Sequence, residues 1–240
     1  MSVDTAKTVR ELAIEYPQAT RVFETLGIDY CCGGGKSLEE ACAAQKLAVA
    51  DVLATLELQA EAGAKPASEW QTGSLAELIA HIVGKHHAYV KTEVPRLEQL
   101  LAKVCSVHGQ NHPELNTIRE TFAGLGQELS MHLMKEENIL FPYIVEMETA
   151  RTSLRAVRPP MFGTVRNPVQ MMIMEHDSAG DALRSIRQLS SGFTAPDDAC
   201  ISFRTLYSAL QEFEADLHQH IHLENNILFP RAVAMENGAN

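Results

Sequence analysis

One short peptide occurs twice in this chain. The stretch HLMKEENILFP begins at His132, and HIHLENNILFP begins at His220, 88 residues later. Each copy has a glutamate four residues after its first histidine and ends in Leu-Phe-Pro. An internal repeat is typical of a fold that uses one structural unit twice. We therefore expect two similar segments, each with a histidine and a glutamate, at equivalent depths in the fold.

The apolar residues follow a helical period throughout the chain. They recur at spacings of three and four residues, and the sequence has no convincing run of alternating β-branched residues bounded by turns. The chain is therefore predicted to be all-α. A shift of 88 residues matches the apolar stripe Ile118, Phe122, Leu125, Leu129, Ile139 and Leu140 with Leu206, Leu210, Phe213, Leu217, Ile227 and Leu228.

Four long helical segments are predicted in the C-terminal part. Their starts are expected near Ser74, Glu114, Asn167 and Asp197. Ser74 and Glu77 match a capping box, and Pro168 is expected at a first helical position. Long helices joined by short or moderate loops indicate an up-down four-helix bundle.

The N-terminal part gives shorter helical segments, which are separated by Pro17 and by the loop CCGGGK. The stretch EAGAKPASEWQTG that follows mixes Gly, Pro and Ser as linkers do. We therefore predict a small helical domain over residues 1–62, a linker over 63–73 and the bundle over 74–240.

The spacing of the repeated histidine and glutamate places both on one helix face. Four residues at about 100° each return the chain to within about 40° of its start, so His132 and Glu136 point inward together. The same holds for His220 and Glu224, whereas His222 is expected to point outward. A buried carboxylate needs a positive partner, and no Lys or Arg occupies the stripe near either glutamate. A metal ion is the expected counter-charge.

The other two long helices offer further histidines. His176 shares a stripe with apolar residues of the third helix, so it is predicted to point inward. The first helix carries His81, His86 and His87. Periodicity slightly favours His86 and the spacing between repeated histidines favours His87. Four histidines and two glutamates would give two ions three protein ligands each, and this ligand set suits iron, manganese or zinc.

The cysteine loop is a second candidate site. Ser37 and Glu40 fit a capping box, so Cys31 and Cys32 are expected near a helix N-terminus, which lowers the pKa of a thiol. We predict thiol chemistry there, with a purely structural loop as the alternative. Cys42, Cys105 and Cys200 have no visible partners in the sequence and are expected to be packing residues.

Two other features have structural interpretations. Pro142 and Pro230 follow the repeated glutamates and are expected to kink or end the helices, which frees the carbonyls of Asn138 and Asn226. The methionine cluster QMMIMEH is expected to fill the core.

Composition restricts the class of partner. The chain has 31 acidic and 20 basic residues, a formal charge of −11 and no basic run, which argues against nucleic-acid binding. The N-terminus has no apolar signal region, and no stretch approaches the length of a membrane span. The five cysteines do not suggest a disulfide framework. The expected compartment is the cytoplasm.

The segment IDYCCGGGKSLEEAC, followed by the two histidine blocks, resembles the Repair of Iron Centres family. These iron-sulfur cluster repair di-iron proteins are also called ScdA or YtfE. The resemblance covers nearly the whole chain and implies an ScdA-type N-terminal domain and a hemerythrin-like bundle. It implies two non-haem iron ions per chain, bridged by Glu136, Glu224 and an oxo or hydroxo group. The implied imidazole ligands are His87, His132, His176 and His220. Glu128 and Glu175 would lie near the centre as further acidic residues.

One departure from oxygen-carrying hemerythrins bears on function. Those proteins have two histidines four residues apart on the third helix, but here Gly180 follows His176 at that spacing. The iron centre should therefore be more open to small ligands. The resemblance implies a stress-response protein that repairs damaged iron-sulfur proteins. The alternatives are a binder or sensor of nitric oxide or oxygen and a nitric oxide-reducing enzyme, and a homodimer is compatible with all three.

Overall fold

The computed structural model describes residues 4–62 and 69–238, and helices make up most of this part of the chain. No strand occurs within the described ranges, where Thr8 and Ser37 form an isolated antiparallel bridge. The α-helices are α1 (Val9–Glu15), α2 (Ala19–Leu26), α3 (Leu38–Gln45), α4 (Val49–Ala62), α5 (Leu75–His81), α6 (Ala88–His108), α7 (Glu114–Lys135), α8 (Phe141–Thr152), α9 (Arg166–Leu189), α10 (Ile201–Leu223) and α11 (Phe229–Glu236). The all-α prediction is confirmed.

Within the part of the chain that the structure describes, three π-helical segments interrupt this series. They are π1 (Ile82–His87), π2 (Glu136–Leu140) and π3 (Glu224–Leu228). A π turn has i→i+5 hydrogen bonds and is rare, and it occurs often at functional sites. None of the three was predicted from the sequence.

The chain divides into two compact units. One comprises Met1–Leu78 with His218–Asn240, and the other comprises Ile79–Leu217. Helix α10 begins in the second unit and ends in the first. The predicted linker over 63–73 falls partly on residues 63–68, which lie outside the described residues. The domain boundaries given above stay a prediction.

The first unit has its own apolar core, built by α1 to α4. Thr8 and Glu11 form a capping box at the start of α1, and Ser37 and Glu40 form the predicted capping box at the start of α3. Helix α2 ends at Gly27, whose φ of 68° is the left-handed conformation that glycine adopts without strain. The largest fully buried side chains of this core are Phe23, Tyr30, Leu12 and Leu38.

The second unit contains α6, α7, α9 and α10 as far as Leu217. Helix α7 packs against both α6 and α9. Gly126 lies at the contact with α6, where a Cβ would come within 2.8 Å of Val94 Cγ1, so this close approach depends on glycine. Phe122 and Phe213 meet edge to face at 5.3 Å between ring centroids, a favoured aromatic geometry.

Three of the four predicted helix starts agree with the structure to within one residue, and the fourth is moved by local contacts. Helix α5 begins after Ser74 and α7 at Glu114, as predicted. Helix α9 begins at Arg166, so Pro168 is its third residue. Helix α10 begins at Ile201 because residues 196–199 form a turn, in which the Ala199 N–H donates to the Pro196 carbonyl at 3.0 Å. The Arg204 guanidinium donates to three carbonyl groups between positions 196 and 199.

Two groups of apolar residues are more exposed than predicted. Ile139 is 51 % exposed, although its counterpart Ile227 is buried in π3, a segment that α1 contacts. Met171 and Met174 are also exposed, whereas Met172 is buried as predicted. The period of a helix shows which residues share a face, but it does not show how far a neighbouring helix covers that face.

Candidate metal centre

Two histidines from neighbouring helices meet inside the second unit. His132, in the last turn of α7, and His176, in the middle of α9, are both buried. Their Nε2 atoms are 3.0 Å apart. Glu136 is the first residue of π2 and is fully buried, and its Oε2 atom lies 3.3 Å from His132 Nε2. His132, Glu136 and His176 each place a ligand-type atom within 4.8 Å of the other two.

A third histidine reaches the same carboxylate from π1. His87 is the last residue of that segment and is fully buried. Its Nε2 atom lies 3.4 Å from Glu136 Oε2. The Glu136 carboxylate therefore has an imidazole Nε2 of two different histidines within about 3.4 Å.

The outer nitrogens of two of these histidines are held by carboxylates. His87 Nδ1 lies 2.8 Å from Glu137 Oε1, and Lys91 Nζ lies 2.6 Å from the same oxygen. Burial alone would raise the pKa of Glu137, but the hydrogen bonds from Lys91 and His87 lower it below its ordinary value. Glu137 is therefore an anion that accepts the Nδ1–H of His87 and leaves the Nε2 lone pair facing the interior.

His132 has the same kind of support from another helix. Its Nδ1 atom lies 2.8 Å from Glu175 Oε2, and Glu175 also pairs with Lys135. Burial opposes ionisation of Glu175, yet the hydrogen bonds from Lys135 and His132 lower the pKa of that carboxyl. A carboxylate on the outer nitrogen of an imidazole is the usual partner of a metal-binding histidine.

The second copy of the repeat is described within the first unit. His220 Nε2 lies 3.0 Å from Glu224 Oε1, and both side chains are buried. Glu224 is the first residue of π3, as Glu136 is the first residue of π2. The two copies of the peptide thus share both the buried pair and the change from α-helix to π-helix.

These donors fit a first-row transition metal. The outer N–H groups of these imidazoles are held by anions, and their Nε2 atoms face a buried carboxylate. Iron, manganese and zinc prefer ligands of this kind. Histidines and glutamates buried to this degree are uncommon in an apolar interior unless they are paired or coordinate a metal. The predicted burial of all six residues, the four histidines and two glutamates, is confirmed.

His86 and His81, the other candidates of the first helix, lie elsewhere. His86 is buried, but its Nδ1 atom lies 3.0 Å from Asp216 Oδ1, and its ring meets that of His81 at 5.8 Å between centroids. Of the neighbours His86 and His87, it is His87 whose Nε2 atom approaches Glu136. The spacing between the repeated histidines thus indicated the imidazole that approaches Glu136, whereas the apolar period favoured His86.

Two residues are not oriented as expected. Glu128, which the resemblance implies lies near the centre, is exposed although it shares a helix face with His132. Its carboxylate accepts a hydrogen bond of 3.2 Å from Ser178 Oγ, in a groove of about 520 Å³ between α7 and α9 that Glu175 and Lys135 also line.

His222, expected to point outward to solvent, is buried. Its ring meets Tyr30 edge-on at 5.4 Å, and its Nδ1 atom lies 2.8 Å from Asn226 Nδ2. Burial lowers the pKa of His222 to about 4, with a smaller contribution from Arg10. The helix period correctly predicted that His222 points away from His220. On that side of the helix, however, lies the N-terminal part of the first unit and not solvent.

The cysteine loop differs electrostatically from the prediction. The backbone N–H groups of Cys31 and Cys32 donate to Asp29 Oδ1 at 3.1 and 3.0 Å, and the Cys31 thiol lies 3.4 Å from the same oxygen. A hydrogen bond to Cys32, 3.6 Å away between sulfur atoms, and burial raise the pKa of the Cys31 thiol well above its ordinary value. The expected lowering of the thiol pKa is therefore wrong for Cys31, because the Cys32 contact and burial, with a smaller contribution from Asp29, favour the protonated thiol.

Glu137, the partner of His87 Nδ1, was not predicted from the sequence. The only sequence signal is the pair of adjacent glutamates in the first copy of the repeat, where the second copy has Asn225. The structure brings Glu137 to His87 across 50 residues of chain. An acidic residue beside an inward glutamate gives no periodic pattern, because it lies on a different face.

Comparison with known proteins agrees with this arrangement. The family profile described as the hemerythrin HHE cation binding domain matches residues 78–232, which include the buried histidines and glutamates of the repeat. The profile named ScdA_N, described as a domain of unknown function, matches residues 5–60.

A probable iron-sulfur cluster repair protein of Haemophilus influenzae is 38% identical over 224 residues, covering 93% of this chain and 95% of the relative. The iron-sulfur cluster repair protein YtfE of Pectobacterium atrosepticum is 36% identical over 230 residues, which is 96% of this chain and 98% of that protein. The YtfE protein of Escherichia coli O157:H7 is 36% identical over 226 residues, 94% of this chain and 96% of its own length.

The chain belongs to the YtfE family of iron-sulfur cluster repair proteins. The family assignment drawn from the cysteine loop and the histidine blocks is thereby confirmed, as is the hemerythrin-like bundle. The hemerythrin HHE domain and the buried clusters indicate a cation-binding protein. No helix in the described ranges is both long enough and apolar enough to cross a membrane.

Proposed function

We propose that this chain is an iron-binding protein that takes part in the repair of iron-sulfur clusters damaged by nitrosative or oxidative stress. Its relatives carry the name of iron-sulfur cluster repair proteins over nearly their whole length. The observation that carries the metal-binding part is the Glu136 carboxylate, which lies buried between the Nε2 atoms of His87 and His132. Damaged iron-sulfur proteins are the proposed partners, and the cytoplasm is the proposed compartment because all five cysteines are thiols.

Six residues are the proposed ligands. They are His87, His132, Glu136, His176, His220 and Glu224. The repeat supports this set, since each copy contributes one histidine and one glutamate that are buried at 3.0 to 3.3 Å from each other. The family profile also spans all six positions. We propose two iron ions per chain, because the repeat supplies its ligands in two matched sets and its two carboxylates can bridge two ions, which one ion would not require.

The residues around this centre have separate tasks. Glu137 and Glu175 hold the outer nitrogens of His87 and His132, which fixes the rings and keeps the Nε2 lone pairs available. Gly180, one turn after His176, is buried and offers no side chain as a ligand. Iron held in such a site would supply a redox-active ion with room for a small ligand such as nitric oxide or oxygen. This openness suits delivery of iron or handling of nitric oxide better than oxygen storage.

Metal analysis tests the centre directly. Protein purified after growth with ample iron should contain two irons per chain, and replacement of His220 with Ala should lower that number sharply. One ion per chain, or zinc alone, would overturn the di-iron proposal. His222 cannot serve as a surface control for this test, because it is buried against Tyr30. His112 is a better control, since its ring nitrogens face Glu114 and Asp198 and not the buried glutamates.

Cluster restoration tests the function. The reduced, iron-loaded chain is mixed anaerobically with an iron-sulfur protein whose cluster has been damaged by nitric oxide, and the recovered cluster is measured by its absorbance. Recovery supports repair. Stable binding of nitric oxide without recovery would favour the binder or sensor, and production of nitrous oxide without recovery would favour the reductase.

The role of the cysteine loop stays a prediction. A Cys31→Ser, Cys32→Ser double variant with normal iron content should restore clusters less well than the unaltered chain. The Cys31 thiol is buried and faces Asp29, so this chemistry would need a partner that reaches the loop and accepts the thiol proton. Full activity of the double variant would leave the loop a structural role.

A further inference from the structure

A cysteine and a histidine form a close pair far from the proposed iron ligands. Cys200 Sγ lies 3.2 Å from His108 Nε2. Cys200 is exposed, whereas Cys31, Cys42 and Cys105 are buried. Helix α6 has 21 residues between His87 and the end at His108, which corresponds to about 30 Å at about 1.5 Å per residue. The pair is therefore not part of the centre described above. The prediction that Cys200 is a packing residue is wrong, because Cys200 is exposed.

The turn before α10 fixes the position of the sulfur atom. The Cys200 carbonyl accepts the N–H of Arg204 at 3.0 Å, so Cys200 is the residue that precedes the first turn of a 23-residue helix. The Arg204 guanidinium donates to the carbonyls of Pro196, Asp197 and Ala199 and holds the turn in place. The positive end of the helix dipole faces a residue at such a position, and it favours negative charge there.

The imidazole partner is also held in place. His108 is the last residue of α6, and its ring lies 5.3 Å from the ring of Phe203 and 6.4 Å from that of His112. The charged groups beside the pair are Asp198 and Glu114, and both contact His112, at 3.1 Å each. His112 thus neutralises the nearest carboxylates, while His108 Nε2 remains directed at the thiol.

We propose that Cys200 and His108 form a reactive thiol site that undergoes exchange with low-molecular-weight disulfides and becomes S-thiolated. A nucleophile within hydrogen-bonding reach of a base, at an exposed position, is the arrangement that activates a thiol. His108 Nε2 accepts the Cys200 thiol proton, and the Cys200 thiolate attacks one sulfur of the disulfide. A new S–S bond forms to Cys200 as the old one breaks. The departing thiolate takes the proton from His108, so Cys200 is oxidised and the small disulfide is reduced.

The experiment uses the full, iron-loaded chain and oxidised glutathione as the probe. Intact mass and peptide mapping locate the adduct, and its rate of formation is measured between about pH 6 and 8, the range in which imidazole changes its charge. A Cys200→Ser variant removes the nucleophile, and His108→Gln removes the base at nearly the same volume. His112→Gln is the matched control, because it alters a neighbouring histidine that does not contact the thiol.

The expected result is one rapid adduct per chain, on Cys200, that is absent from Cys200→Ser. His108→Gln should slow it by about tenfold at neutral pH and make its rate depend more steeply on pH, because an ordinary thiol is only a few per cent thiolate there. His112→Gln should slow it by less than His108→Gln does, because it leaves the base in place and removes only the positive partner of Asp198 and Glu114. A rapid adduct in Cys200→Ser, or equal rates and pH profiles in His108→Gln and the unaltered chain, would overturn the proposal. Iron content and the unfolding midpoint show that each variant is folded.

Discussion

Replacement of Glu175 with Gln tests whether the carboxylates behind the histidines support metal binding. In the structure Glu175 Oε2 accepts from His132 Nδ1 at 2.8 Å, and Glu175 is held as an anion by Lys135. Gln keeps the shape and can still accept the Nδ1–H, but it removes the negative charge that makes the imidazole a stronger donor to the metal. The perturbation therefore changes the outer partner and leaves every proposed ligand in place.

The expected loss follows from the charge that is removed. Changes to outer partners of metal-binding histidines lower metal affinity by about 10- to 100-fold, and the neutral acceptor that remains places this variant near the lower end. A tenfold loss corresponds to about 1.4 kcal/mol. The ion pair with Lys135 is partly exposed, so its loss should change folding stability by at most about 1 kcal/mol. Competition of the chain with a ferrous chelator under anaerobic conditions measures the affinity.

Two further variants make the test specific. Glu137→Gln should weaken iron binding by a similar factor, because Glu137 holds His87 in the same way. Glu128→Gln should leave affinity unchanged, because Glu128 is exposed and contacts Ser178. Equal affinities in Glu175→Gln and Glu128→Gln would refute the reasoning, since only one of these carboxylates touches an imidazole of the proposed set.

Two other predictions concern the neighbours His86 and His87 and the ion pair between His112 and Asp198. His86→Ala and His87→Ala remove equally buried rings, so both should lower stability, but only His87→Ala should lower iron content. The hydrogen bond with Asp198 raises the pKa of His112 above 6.5, and it lowers the pKa of Asp198 below 3.8. The contribution of His112 to folding stability is fully present below pH 6.5 and is lost as the pH rises through its folded-state pKa. The contribution of Asp198 to folding stability is lost as the pH falls below 3.8. The difference in urea midpoint between the unaltered chain and Asp198→Asn should thus be largest between these values and shrink above pH 6.5, and a constant difference across pH would contradict this.

The buried pairs of the repeat could be predicted because they depend on local geometry. Residues four apart on a helix share a face whatever surrounds the helix, so the inward direction of His132 and Glu136 followed from spacing alone. The capping box at Ser37 is local in the same way. A periodic pattern specifies which side chains point to the same side of one helix. For His132 and Glu136, that side faced the interior of the fold.

The wrong predictions concern which residues lie next to a side chain once the chain has folded. His222 points away from His220 as the period requires, but Tyr30 covers it, and this contact joins residues that are distant in the chain. Glu128 shares the face of His132, yet its long side chain reaches the groove and Ser178. Glu137 had no periodic signal because its function depends on His87, 50 residues earlier. Contacts between distant segments decide exposure and charge, and a single sequence does not specify them.

The residues after the ligand glutamate explain why the repeat extends to Leu-Phe-Pro. The N–H of Phe141 bonds to the Glu136 carbonyl, five residues back, and Phe229 bonds to the Glu224 carbonyl in the same way. Proline follows in both copies and cannot donate a hydrogen bond, so the helix loses little by widening just before it. The expected kink is therefore a π turn. Asn138, exposed in the first copy, donates to the Met134 carbonyl at 2.8 Å, which gives a backbone acceptor near this turn a partner.

Asn226 holds the same place in the second copy, but its partners differ, and this difference predicts unequal costs of substitution. It is buried, and its amide donates to the Tyr30 carbonyl at 3.1 Å and lies 2.8 Å from His222 Nδ1. Asn138→Ala should cost about 0.5–1.5 kcal/mol, since water can reach the carbonyl that it leaves. Asn226→Ala should cost more, by about 1–3 kcal/mol, because it leaves two buried acceptors without that donor. Urea unfolding of the two metal-free variants measures the difference, and equal losses would show that the Tyr30 and His222 contacts contribute nothing to stability.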